Sequence, residues 1–224
     1  MSFTVQQVVK TLKRNDRFRA AGRKAEQYLL NGIEACFDLR YNITTRWSDL
    51  TPAFADDEGY GPVSYPGLKY IHKRVGIAPR EVLVDIGCGQ GRAICVFSRE
   101  PAVERCIGIE YHSSHAEAAR RNAKRVRGRT APITVIEGDA AEQTYDGTTL
   151  IFLFNPFGEA TMRRTVERIG ASLLKDPRPI RVVYVNPKYE HVLAEQPWLT
   201  KTDAFEIPNR VHRSLPTSVW HSAN

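Results

Sequence analysis

The 224-residue chain has no run approaching 18 uninterrupted apolar residues, so no membrane-spanning helix is expected. Its first residues, MSFTVQQVVKTLKRND, place no apolar stretch ahead of a small-residue cleavage site, the pattern of a secretory leader. Cysteine is scarce. Cys36, Cys88, Cys95 and Cys106 form no CxxC pair and no zinc spacing, so free thiols in a reducing cytoplasm are expected. The six histidines form neither an HxxxH nor an HExxH array, and no metal site is expected. A GxSxG elbow and a Ser-His-Asp order are also missing, which argues against hydrolytic nucleophile chemistry. There is no internal repeat and no low-complexity tract.

What remains is ordinary globular material, 42% hydrophobic and 25% charged, enough to bury a core without disulfides or a metal. The unusual quantity is charge. Lys and Arg total 32 against 25 Asp and Glu, a formal +7. Such an excess suits an anionic partner, or follows from base composition alone, given 23 Arg to 9 Lys. The surplus sits mainly in residues 1–80. A second basic run comprises Arg120, Arg121, Lys124, Arg125, Arg127 and Arg129. It has no interleaved aromatics of the kind that stack on single-stranded nucleic acid.

From about residue 80, short apolar segments alternate with longer amphipathic ones. Strands are predicted at 81–87, 105–111, 132–138, 148–155 and 180–186. Helices are predicted at 90–99, 113–126 (Ser113 or Ser114 as N-cap), 159–174 and 189–195. KTDAFEI and VHRSLPTSVW read as two strands around a Pro208–Asn209 turn. Strand–helix alternation with continuous apolar strands implies an α/β fold, a parallel sheet covered on both faces. Ligands are then expected at the carboxyl ends of the strands. Residues 1–79 read as an N-terminal helical arm with pocket-capping loops, and residues 80–224 as the main domain. Helical spacing recurs at Val5, Val8, Val9 and Leu12 and over 17–30.

The densest signal is Val84-Asp85-Ile86-Gly87-Cys88-Gly89-Gln90-Gly91-Arg92. A strand ends in an acid, and three glycines alternate before a helix. The dinucleotide fingerprint GxGxxG is not satisfied, because Arg92 stands at the third-Gly position. Asp85 beside the loop repels phosphate and suits a ligand bearing an ammonium group. A ligand that joins an amino acid to a nucleoside without phosphates is S-adenosylmethionine. Glu110 ends the second strand, where a carboxylate accepts hydrogen bonds from ribose hydroxyls. Asp139 ends the third, placed to accept from an adenine amino group.

VDIGCGQGR, IE, GDA and NPF, in this order, resemble motifs one to four of the class I S-adenosylmethionine-dependent methyltransferases, over roughly residues 80–190. The resemblance implies a Rossmann-like, seven-stranded, mostly parallel sheet with helices on both faces, an antiparallel C-terminal hairpin and an N-terminal helical cap. It implies that Gly87, Cys88, Gly89 and Gly91 line the methionine part of the cofactor, with Asp85 near it. Glu110 and Tyr111 fall at the ribose, and Asp139 and Ala140 at the adenine. Asn155-Pro156-Phe157 resembles the N-P-P-[YF] motif of nitrogen methyltransferases, in which the Asn holds the target amino group and the ring stacks on it. Here a single Pro separates Asn155 from Phe157. These three residues are the catalytic candidates, and Asn155 is also a cofactor-site candidate.

FDLRYNITT followed by GYGPVSYP is similar to the arm of small bacterial methyltransferases distantly related to the Dot1-like group, with Asn42 in place of a Gly. Thr45, Tyr60 and Tyr65 are then candidates to close the pocket. The expected activity is methyl transfer from S-adenosylmethionine, leaving S-adenosylhomocysteine, to a nitrogen of a small molecule or protein side chain. The alternatives are an RNA methyltransferase, a catalytically silent cofactor-binding protein and, disfavoured by Asp85 and Arg92, a nicotinamide-dependent oxidoreductase. His112 and His115 read more readily as surface residues than as pocket residues. Glu159 reads either as a base near the amine or as a first-turn helical acid.

Overall fold

The computed structural model describes residues 32–45, 61–209 and 213–222. The helical spacing read before residue 31 and Tyr60 lie outside them. A helix over residues 32–41 (α1) precedes α2 (Tyr65–Val75), β1 (Glu81–Ile86), α3 (Arg92–Phe97), β2 (Val103–Glu110), α4 (Ser113–Arg125) and β3 (Ile133–Glu137). A 3-10 turn (Ala140–Glu142) leads to β4 (Leu150–Phe154), α5 (Glu159–Lys175), β5 (Arg181–Val185), α6 (Glu190–Ala194), β6 (Leu199–Asn209) and β7 (Arg213–Ser222).

The strands form one seven-stranded sheet in the order β3-β2-β1-β4-β5-β7-β6. Pairs β1–β2, β2–β3, β1–β4 and β4–β5 are parallel, while β7 is antiparallel to both β5 and β6. The chain winds outward from β1 to β3 and then returns to β4 on the other side. The reversal lies between β1 and β4, where an open α/β sheet leaves a crevice beyond its carboxyl edge.

Every residue of β1 is buried, as a central strand covered on both faces requires. Its side chains alternate. Leu83 packs with Leu68, Ile71, Ile94 and Phe97 on one face. Val84 and Ile86 pack with Met162, Val166 and Ile169 of α5 on the other. Asp85 shares the Leu83 face by this alternation, so the strand ends with a carboxylate where a core side chain would continue.

Three local readings change. Pro208 and Asn209 are the last residues of β6 rather than a turn. The Pro208 carbonyl accepts from Ser64 Oγ at 2.6 Å, so α2 is fastened to this strand. The N-cap of α4 is His112, not Ser113 or Ser114; the Ser113 hydroxyl is bonded to Glu137 at the end of β3. Pro216 lies within β7, one residue beyond the β5 ladder, which ends at Val185–Thr217. Its carbonyl accepts from Asn186 N at 2.7 Å, and on its other side it stands opposite Glu206 of β6.

Candidate active site

A cavity of about 910 Å³, open solvent at its mouth included, lies beyond the carboxyl ends of β1, β2 and β4. Asp85, Gly87, Cys88 and Arg92 contribute from β1 and its loop, and Glu110 and Tyr111 from the end of β2. Gly138, Asp139 and Ala140 follow β3, and Phe154, Pro156 and Phe157 belong to the end of β4. Gly61, Pro62 and Val63 cover it from the arm.

The glycine loop is held by backbone geometry. Gly87, Gly89 and Gly91 all take positive φ. The loop bonds back to β2 through Gly87 N and Cys88 N, both donating to Ile109 O. A Cβ on Gly87 would lie 2.3 Å from Pro156 Cβ. The glycine therefore lets the loop after β4 close against the loop after β1. Gly91, at φ 82°, faces Ala119 of α4. Gly89 and Gly91 shape the loop without being among the cavity-lining residues.

Three acids reach the cavity in different states. Glu110 is buried and accepts from Gly89 N at 2.7 Å and His112 N at 2.8 Å. Asp139 caps the 3-10 turn by accepting from Ala141 N at 2.9 Å, and it pairs with Arg164 at 3.1 Å. Asp85 is 4% exposed. Burial, and secondarily the Glu110 charge, push its carboxyl up to about 8. Cys88 beside it is raised well above the ordinary thiol range, first by burial and then by Asp85 and Glu110. A thiol so held is a poor nucleophile.

Thr45 and Tyr65 are not cavity-lining residues. They hold Arg92, which is. Arg92 Nε donates to Thr45 Oγ1 at 2.7 Å, Nη2 to Thr45 O at 3.0 Å and Nη1 to Val63 O at 3.2 Å. Nη1 also pairs with Glu34, and the guanidinium lies 4.4 Å from the Tyr65 ring centroid. Asp38 accepts from Thr45 N, Thr45 Oγ1 and Tyr65 OH. This buried network ties α1 and the segment after it to the first turn of α3.

Pro156 and Phe157 line the cavity, and Asn155 does not. Asn155 is 7% exposed with φ 43°. Its Oδ1 accepts from the Tyr184 hydroxyl at 3.2 Å, a donor on the neighbouring strand β5. Glu159 is outside the cavity lining. Hydrogen bonds from Arg163 and then His191 hold its carboxyl below the usual range, which disfavours it as a base.

His112 and His115 both line the cavity, with ring centroids 5.8 Å apart. Their spacing on the first turn after Glu110 was the available signal. Phe152, Leu68 and Thr161 complete the wall. They were not foreseen, because their side chains look like core residues in sequence.

Much of the basic run is engaged internally. Arg125 Nη2 donates to Thr44 Oγ1 at 2.7 Å and to Asn122 Oδ1 at 2.8 Å. Arg129 donates to Ala123 O at 2.9 Å. Arg120 pairs with Glu137, and Arg121 with Glu117. Among the described residues there is no cluster of three or more candidate metal ligands, and no helix is long and apolar enough to cross a membrane.

A model of the DOT1 histone methylation protein family matches residues 49–135. Comparison with curated proteins finds no match. Among solved structures, the chain resembles an RNA methyltransferase from Salinibacter ruber in complex with S-adenosyl-L-homocysteine. That likeness has a TM-score of 0.51 at 18% identity, covering 72% of this chain and 92% of that one. A SAM-dependent methyltransferase from Aquifex aeolicus gives 0.54 at 9% identity, covering 70% and 89%. A precorrin 8W decarboxylase from Methanobacterium thermoautotrophicum gives 0.51 at 18% identity, covering 74% and 93%. Strand order, reversed β7 and these likenesses agree: the chain has the fold of the class I S-adenosylmethionine-dependent methyltransferase superfamily.

Proposed function

We propose that this protein is an S-adenosylmethionine-dependent methyltransferase acting on a nitrogen of a small molecule or a protein side chain. The observation that carries the cofactor is the pairing, in one cavity, of an acid-lined wall with a glycine loop whose Cβ-free backbone meets Pro156. A buried Asp85 that no cation among the described residues pairs with fits an ammonium group. Glu110, which accepts from Gly89 N and His112 N, fits beside the ribose hydroxyls. Asp139 and Ala140 sit one strand further, at the place for the adenine. A pyrophosphate does not suit this wall, which counts against the nicotinamide reading.

The cofactor supplies an activated methyl group on a sulfonium. The chain supplies orientation and a dry surround, since an in-line displacement gains most of its rate from alignment. Phe152, Phe154, Pro156 and Phe157 form an aromatic and apolar wall at the β4 end, and Phe157 is placed to pack on the acceptor. Tyr184 fixes the Asn155 amide from behind. In this reading Asn155, which does not line the cavity, acts on the acceptor through the loop it holds, setting Pro156 and Phe157 in the wall. A neutral amine is the nucleophile; it needs no base at the moment of attack, and the proton that the methylated nitrogen sheds afterwards goes to solvent.

The test is transfer of radiolabelled methyl groups into fractionated cell extract, with wild type and Asn155→Ala compared. Label is expected in the small-molecule or protein fraction, with Asn155→Ala losing transfer and keeping S-adenosylhomocysteine affinity within about threefold, a change of less than 1 kcal/mol. Label confined to RNA overturns the acceptor class. Loss of cofactor affinity as well would make Asn155 structural.

A further inference from the structure

Asp85 differs from the other two acids of the cavity. Glu110 is answered by two backbone N–H donors, and Asp139 by a backbone N–H and Arg164. Among the described residues neither a hydrogen bond nor a cation offsets the burial of Asp85. The groups around it are few. Glu110 comes from β2 and Tyr111 follows it; Cys88 comes from the glycine loop and Arg92 from α3. His112 caps α4 and His115 belongs to its first turn, and Asp139 comes from the loop after β3. Arg92 is the one guanidinium among these, and it is committed to Glu34, Thr45 and the Val63 carbonyl, with Asp38 at 3.8 Å. Its charge is already spent on the arm.

We propose that the cavity takes up the ammonium group of its ligand in exchange for a proton, and that Asp85 is the acid that surrenders it. The inference rests on the cofactor reading above, since S-adenosylmethionine and S-adenosylhomocysteine both carry an amino-acid ammonium. In the free protein at neutral pH, Asp85 is largely neutral, because its side chain is buried and no cation among the described residues pairs with it. An ammonium docked beside it provides the missing counter-charge. The carboxyl O–H bond then breaks and its proton leaves to solvent. The ligand nitrogen keeps its three protons, and a carboxylate–ammonium pair forms. One cation enters and one proton departs, so the net charge of this part of the cavity is unchanged.

The exchange makes affinity depend on pH. Below the value of about 8 to which burial and Glu110 push the Asp85 carboxyl, each unit of rising pH removes one competing proton. Affinity for S-adenosylhomocysteine is therefore expected to rise about tenfold per pH unit between pH 6 and 7 and to level off above 8. Calorimetric titration of the full chain in two buffers of different ionisation enthalpy is expected to show nearly one proton released per ligand at pH 6.5. 5′-Methylthioadenosine, which lacks the amino acid, is expected to bind without this slope. Asp85→Asn is expected to bind S-adenosylhomocysteine with a flat pH profile, while His112→Gln and His115→Gln keep the slope. A flat profile and no proton release in the wild type overturn the exchange and leave the cofactor reading standing. A slope that survives in Asp85→Asn also overturns it, by placing the proton elsewhere. Absence of S-adenosylhomocysteine binding at every pH overturns the cofactor reading itself.

Discussion

Asp85 carries a cost that its neighbours on β1 do not. Its carboxyl lies at about 8 in the folded chain and near the ordinary value of about 3.9 when unfolded. Between these values the native state keeps a proton that the unfolded chain has released. Stability from this group is therefore complete below about pH 4 and falls as pH rises to about 8. Asp85→Asn, neutral at every pH and of the same shape, removes that loss. Thermal unfolding without ligand is expected to show the variant gaining on the wild type steadily from pH 5 to pH 8. Parallel curves would contradict the burial argument. Asp85, Glu110 and Asp139 were legible in the sequence because strand ends can be counted and ligands meet parallel sheets there. The roles of Thr45 and Tyr65 were not. Their partner Arg92 stands far along the chain, and nothing local in either residue announces a guanidinium. Phe152 was hidden for another reason: an aromatic inside a buried strand serves core and cavity alike.

The arm meets the start of α3 through few groups, with Arg92 and Glu34 at their centre. Arg92 is 4% exposed and Glu34 6%, so each charge depends on the other. Removing one partner of such a pair typically costs about 3–5 kcal/mol, because the remaining charge is stranded. Arg92→Met is expected to lose stability in that range in urea unfolding. It should also expose residues 32–45 to limited proteolysis before the sheet is cut. Glu34→Gln combined with Arg92→Met should recover part of the loss, since the stranded carboxylate is gone. A change below about 1 kcal/mol, with unaltered cleavage, would show that the arm is held by other means. The elements themselves were largely readable: the described strands β1 to β5 lie within one or two residues of the expected spans. The errors fell where a side chain took a tertiary partner. Ser113 bonds Glu137 instead of capping α4, and Pro208 stays in β6 with its carbonyl held by Ser64.

For the whole molecule, the strand order is what brings the loops after β1 and β4 side by side, with Pro156 against Gly87. Alternation of strands and helices implied a parallel sheet, and the motif order implied seven strands with the last one reversed. The net charge was the least informative global quantity. Of the basic run Arg120, Arg121, Lys124, Arg125, Arg127 and Arg129, the side chains of Arg120, Arg121, Arg125 and Arg129 are paired within the chain. The segment that builds most of the cavity carries nearly equal numbers of acids and bases. A polyanion is therefore not needed to explain these arginines, and the sign of the cavity is set by its carboxylates. The account turns on one ligand, and its most direct test is binding of S-adenosylhomocysteine followed by thermal unfolding at pH 8. Wild type is expected to be stabilised saturably, by about 2.7 kcal/mol at a hundredfold excess over Kd, with Glu110→Ala losing most of that gain and NAD producing none. Stabilisation by NAD without any by S-adenosylhomocysteine would contradict it.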